Sequence, residues 1–279
     1  VTAPAQTAEV APRRPRFRLE PYIQFAQKAA AREATYRFDV FTTIASVLVR
    51  VYLLRMVWVA LYARNVTSED LPLHAIITYS TVALLMGLVM DIDQTRMLHD
   101  KLHSGAIATD FMKPINVPLY FFSDGSGEVL FHAVLIVPSL LFSLLIVHID
   151  VPAPFVLATF FVSFFLGYLV GFCVNFIMNC IAFWTLEIHA ARLIVTWVSD
   201  LFGGEVIPLV IFPVFLQKIA FVLPFAAMFS TPLLIYVGVI PPARYAWALG
   251  SQLFWVVVLG LVATVMWRAG AKRVVVQGG

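Results

Sequence analysis

Long apolar stretches recur from about residue 40 to the C-terminal end, and they limit what this chain can fold into. A helix needs about 20 consecutive apolar residues to cross a bilayer. Six runs reach or approach that length: residues 41–63, 73–90, 127–149, 155–185, 190–212 and 246–267. Of the 279 residues, 61% are hydrophobic and 13% charged, against roughly half and a quarter in soluble domains. A single core of this size cannot hide the excess, so lipid is the solvent. In lipid the backbone must satisfy its own hydrogen bonds. The expected fold is therefore an all-α integral membrane protein with six transmembrane helices. The fourth run is longer than a crossing needs and is expected to tilt or to project from the membrane.

The polar stretches between the runs give the organisation. Residues 1–20 are rich in Ala, Pro and Arg and read as a disordered tail. Arg13, Arg14, Arg16 and Arg18 suit it to anionic headgroups. Residues 21–39 alternate Tyr22, Phe25, Ala29 and Tyr36 with Gln24, Lys28, Arg32 and Glu33, the pattern of an interfacial helix. Residues 21–279 then form one membrane domain. No signal-peptide pattern opens the sequence. Basic residues collect on one side of the expected spans, and the opposite side holds only Arg64, Lys218 and Arg244. The positive-inside rule puts both termini and the loop between spans two and three in the cytosol. Asn65-Val66-Thr67 is a sequon on the outer side, without meaning in a bacterial protein.

That cytosolic loop carries a short helix at 94–105. Gln94, Met97, Leu98, Lys101 and Leu102 lie along it, with Asp93 as a cap and Gly105 as a stop. An apolar step at 107–112 follows, and Lys113-Pro114 ends any helix. Pattern alone equally allows a plain solvated connector. Residues 213–245 are apolar but interrupted by Pro213, Pro224, Pro232, Pro241 and Pro242. Short helices re-entering from the outer face fit better than two further crossings, although charge also permits eight spans. Pro208, Pro213 and Pro224 then border an outer gate.

Residues for bond chemistry are not brought together. The sequence has no Gly-rich loop followed by Gly-Lys-Ser/Thr, no His-Glu-x-x-His helix and no Gly-x-Ser-x-Gly elbow. His99 and His103 stand four apart but lack further ligands, so no metal and no catalytic residue is expected. Cys173 and Cys180 sit in an apolar run and read as inert thiols. The modest net charge of +3 gives no reason to expect nucleic acid. Arg50 and Arg55 in the first span, and Asp200 and Glu205 in the fifth, each cost roughly 2.5–3.5 kcal/mol at mid-bilayer. They pair across the two spans, line a substrate path, or snorkel to the surfaces. Asn175 and Asn179, four apart in the fourth span, read as helix glue.

The order of these parts resembles the ABC type-2 transporter permeases, in particular a bacterial subgroup with a polar N-terminal tail and six spans. Leu102-His103-Ser104-Gly105, running on to Lys113-Pro114-Ile115, is similar to a motif that follows the second span in that subgroup. Phe202-Gly203-Gly204-Glu205-Val206-Ile207-Pro208-Leu209, the later Phe212-Pro213 and Leu223-Pro224-Phe225, and Phe183-Trp184 fit as well. Ala106 departs from the acidic residue usual after the Ser-Gly pair.

The resemblance implies the permease subunit of an ATP-driven exporter in the bacterial plasma (inner) membrane, moving an amphiphilic or polymeric substrate outward. It implies a cytosolic ABC ATPase as a separate chain, two copies per complex, holding ATP and Mg, with no cofactor on this chain. It implies a dimer with a second permease half, here expected to be a different homologous chain, and a coupling helix at 94–105. The competing readings are an intramembrane lipid-modifying enzyme and an ion-coupled carrier. The first needs converging catalytic groups, the second a matched pair of interrupted spans.

Overall fold

The computed structural model describes residues 19–35, 37–64, 71–90, 96–185 and 188–277. The elements are all helical: α1 (Glu20–Glu33), α2 (Arg37–Ala63), α3 (Leu73–Met90), α4 (Arg96–His103), α5 (Ile107–Phe111), α6 (Val117–Ser143), α7 (Pro154–Cys180), α8 (His189–Gly203), α9 (Val214–Val222), α10 (Ser230–Tyr236) and α11 (Tyr245–Gln277). Among the described residues, five stretches are long and apolar enough to cross a membrane: Val40–Ala63, Leu73–Met90, Val117–Ser143, Pro154–Phe183 and Pro242–Val274. The chain is an all-α, multi-pass membrane protein.

The expected fifth span is the exception. Helix α8 has 15 residues, about 22 Å at the α-helical rise, short of the ~30 Å hydrocarbon layer. It stops at Gly204, whose φ of 78° lies in the left-handed region. A Cβ at that position would come within 3.0 Å of Leu209 and 3.1 Å of the Tyr79 hydroxyl. Tyr79 is fully buried and donates to the Gly204 carbonyl oxygen at 2.6 Å, tying the end of α8 to α3. The chain then makes a 3-10 turn at Leu209–Ile211.

The third span begins ten residues earlier than expected, at Val117 rather than 127. Asn116 caps it, its side-chain oxygen accepting the Leu119 N–H at 3.2 Å, and Pro118 suits the first turn. Asp124 and Glu128 make this stretch look too polar for the bundle, but α1 lies across it. A Cβ on Gly127 would sit 2.0 Å from the Ala26 carbonyl oxygen, so the two backbones touch there. The Asn116 N–H donates to the Tyr22 hydroxyl at 2.9 Å, and Arg32 reaches Asp124 at 3.5 Å. Tyr22 and Ala29, expected to face lipid, are buried instead. Helix α1 ends at Glu33 rather than 39, and Tyr36 lies outside the described residues.

Helix α3 is the most enclosed span, packed by α2, α6 and α10, while α7 and α11 pair alongside. The Pro-broken segment holds only short pieces, α9 of 9 residues and α10 of 7. Neither is long enough to carry the eight-crossing alternative. The 3-10 turn Pro224–Ala227 packs against both α7 and α11. Gly167 of α7 allows this, because a Cβ there would meet the Met228 carbonyl oxygen at 2.6 Å. Gln252 of α11, fully buried, locks the junction. Its amide nitrogen donates to the carbonyl oxygens of Ser163 (3.0 Å) and Ala227 (2.8 Å), and its oxygen accepts the Ser163 hydroxyl at 2.8 Å. Irregular backbone covered in this way is the kind a bilayer tolerates.

Candidate coupling hairpin and intramembrane cavity

Helices α4 and α5 form a hairpin whose turn closes at Gly105, φ 74°, with open space around it. The hairpin has two unlike faces. The inner face is seated in the bundle. Leu98, 0% exposed, packs in one cluster with Ile107, Val117, Phe121 and Phe176. Met97 and Leu102 join its edge, and the Tyr120 hydroxyl donates to the Met97 sulfur at 3.2 Å.

A buried carboxylate joins the two arms. Asp110, 1% exposed, accepts from Lys101 Nζ and from Lys113 Nζ, each at 2.6 Å. Lys101 also donates to the Tyr120 hydroxyl at 3.2 Å and lies over the Tyr120 ring. Burial alone pushes the Asp110 carboxyl up, but the two lysines outweigh it and hold it below the usual carboxylate range. Burial likewise opposes the charge on Lys101, and the bonds to Asp110 and Tyr120 raise it overall. Asp110 was not foreseen. Its one sequence signal is a lone charge inside the apolar step at 107–112.

The outer face carries Arg96, Asp100, His103, Ser104 and Gly105, all exposed. The hairpin residues singled out by sequence therefore divide. Gly105 faces out, whereas Leu98 is wholly inside and Met97, Lys101 and Leu102 are partly so. Gln94 lies outside the described residues.

Arg50, Asp200 and Glu205 share a cavity of about 370 Å³ with Asn175 and Arg192. Arg50 and Glu205 also border an adjoining space of about 230 Å³ that reaches His132. Arg55 lines neither. Among the described residues no ion pair links Arg50 or Arg55 to Asp200 or Glu205. Arg192 instead donates to Asn179 at 2.7 Å, and the Asn179 amide donates to the Asn175 carbonyl oxygen at 3.0 Å. The result is a polar, mixed-charge wall among α2, α7 and α8.

The gate prolines take three positions. Pro208 is buried before the 3-10 turn, Pro213 is exposed and caps α9, and Pro224 is half-buried at the start of the inserted turn. Gln217, unmarked in the sequence, donates to the Val210 and Phe212 carbonyl oxygens at 3.0 and 2.8 Å, satisfying backbone that the prolines leave open.

Comparison with curated proteins and with solved structures finds no match. A family described as ABC-2 family transporter protein matches residues 45–278, from within α2 to the end of α11, and so takes in the hairpin and the interrupted segment. The chain belongs to the ABC-2 family of transporter proteins and is a membrane subunit of the kind that works with ABC ATPases.

Proposed function

We propose that the chain is the permease of an exporter, moving an amphiphilic or polymeric substrate outward, and that the α4–α5 hairpin is where the ATPase acts. The observation that carries this is the two-faced hairpin. Its polar outer face is exposed for docking, and its inner face is fixed to the bundle by Leu98 and by Lys101, which Asp110 holds against Tyr120. Packed interiors are nearly incompressible, so a push on α4 passes to its neighbours as displacement. The cluster around Leu98 contains residues of α6, α7 and α11, and α1 rides on α6. One lever thus addresses three crossing helices.

The ATPase is a partner chain in two copies, and ATP with Mg sits there. With the basic side inward, the hairpin and the ends of α1 and α11 face the cytosol of a bacterial cell, α8 together with residues 204–212 completes a sixth passage that the helix alone is too short to make, and the 213–245 segment re-enters from outside. A second permease half, a homologous chain, covers the apolar outer side of α8, where Ile194 is 60% and Trp197 68% exposed. The mixed-charge cavity beside Arg50 and Glu205 opens along that path and suits cargo with a polar or charged part.

Co-purification tests the reading. The tagged chain is expected to bring down a nucleotide-hydrolysing subunit, and Asp100→Arg with His103→Glu is expected to lose it while the melting temperature stays unchanged. An ATPase retained in full by that surface variant rules out the hairpin as the docking site.

A further inference from the structure

A roomier space than the mixed-charge cavity is a groove of about 570 Å³ between the hairpin and helices α7 and α11. Its walls are apolar, formed by Phe172, Phe176, Ala263 and Trp267. Gly260 forms a notch in one wall, since a Cβ there would meet nothing within 4 Å. The mouth carries Arg268 and Asn116, both exposed. No acidic residue lines the groove, and Arg268 has no ion-pair partner among the described residues. Lys272 follows one turn later on the same helix and is also exposed.

We propose that this groove is a binding site for one anionic phospholipid, its acyl chain along Phe172 and Gly260 and its phosphate at Arg268. Three observations favour that occupant. The groove runs between two membrane-crossing helices, where lipid is the solvent. Its volume lies within the range of sites that enclose small molecules, with few polar groups at one end. Its charge is one-signed at the mouth only, which is how basic pockets between spans take anionic headgroups.

The site has a consequence for the lever. Trp267, on the groove wall, meets Phe111 of α5 at 5.8 Å between ring centroids, Phe176 at 5.8 Å and Phe183 at 5.6 Å. A chain seated on that wall presses the hairpin arm against the bundle. Occupancy by lipid therefore stiffens the lever that the ATPase moves. The regulatory part rests on the coupling role proposed above, while the binding site needs only the membrane setting.

The test is native mass spectrometry of the full chain, released from vesicles of equal phosphatidylglycerol and phosphatidylcholine. One retained phosphatidylglycerol is expected, favoured over phosphatidylcholine roughly fivefold, the effect of one basic residue at the headgroup layer. Arg268→Gln is expected to abolish the preference, and Gly260→Leu, whose Cβ meets nothing within 4 Å and whose side chain occupies the notch, to reduce retention of both lipids. Lys272→Gln is expected to leave the preference in place. Equal retention of the two lipids by the native chain overturns the assignment. So does a preference that survives Arg268→Gln, or retention unaffected by a folded Gly260→Leu. Loss of ATPase co-purification with lipid retention intact counts against the transport reading alone.

Discussion

Replacing Asp110 by Asn keeps the shape of the hairpin's buried anchor and removes its charge. Two lysine bonds are weakened, and they are not equivalent. Lys113 is half exposed and regains water on release, so its share is that of a surface pair, at most about 1 kcal/mol. Lys101 is mostly enclosed, with the Tyr120 hydroxyl and the Tyr120 and Phe121 rings to fall back on. A hydrogen bond to a charged group contributes about 1.5–3 kcal/mol. The Asn oxygen still accepts from both lysines, so only part of that sum is lost, about 2 kcal/mol of local stability or roughly 30-fold in the population of an opened hairpin. Hydrogen–deuterium exchange in detergent reads this directly. Amides of α4 and α5 are expected to exchange roughly 30-fold faster in Asp110→Asn, with α7 unchanged, while Lys113→Gln changes them by less than about fivefold. Equal protection in Asp110→Asn and the native chain refutes the anchor. An effect of Lys113→Gln as large as that of Asp110→Asn refutes the ranking.

Three further outcomes follow from the geometry. Gly127→Ala must open the α1–α6 crossing from 2.0 Å towards an ordinary contact of at least 3.4 Å, and overpacking of this kind costs about 1–3 kcal/mol, read as earlier proteolysis of α1 while the remaining helices persist. Gln252→Leu strands the Ser163 hydroxyl and the Ala227 carbonyl, and a lowered melting temperature in detergent is expected, corresponding to about 2–6 kcal/mol at 1–3 for each unsatisfied group. Because the Asp110 carboxyl is held low, its contribution is present above the unfolded value near 3.9 and is lost as pH falls through the folded value. The raised Lys101 contribution is present below about 10.4 and is lost as pH rises through its own folded value. Hairpin protection is thus expected to be level from about pH 5 to 9 and to fall in stronger acid, seen by exchange after correction for intrinsic rates.

The crossing helices were legible because lipid leaves no other choice for apolar runs, and α2, α3, α7 and α11 fall close to where those runs lie. The misplaced boundaries have physical causes. Asp124 and Glu128 look unfit for a span until α1 covers them, and the backbone contact at Gly127 that brings α1 there joins residues far apart in sequence. Helix α8 stops early because Gly204 turns left-handed against Tyr79, again a distant partner. The hairpin's position was readable from polarity, but its facing was not. Leu98 and Lys101 look like an exposed docking set until Phe121, Tyr120 and Asp110 are placed around them. Amides such as the buried Gln252 and the half-buried Gln217 gave no sequence signal, since a lone Gln in an apolar run becomes informative only when its partners are known.

The most direct measurement is the accessibility and neighbourhood of the hairpin tip in whole cells. A single cysteine replaces Ser104, which is exposed beside Gly105, in a chain where Cys173 and Cys180 are Ala. The account predicts that a membrane-impermeant maleimide labels it only after the cells are opened, and that a short thiol cross-linker joins it to a nucleotide-hydrolysing subunit. Labelling in intact cells, or an efficient cross-link to anything other than such a subunit, contradicts it.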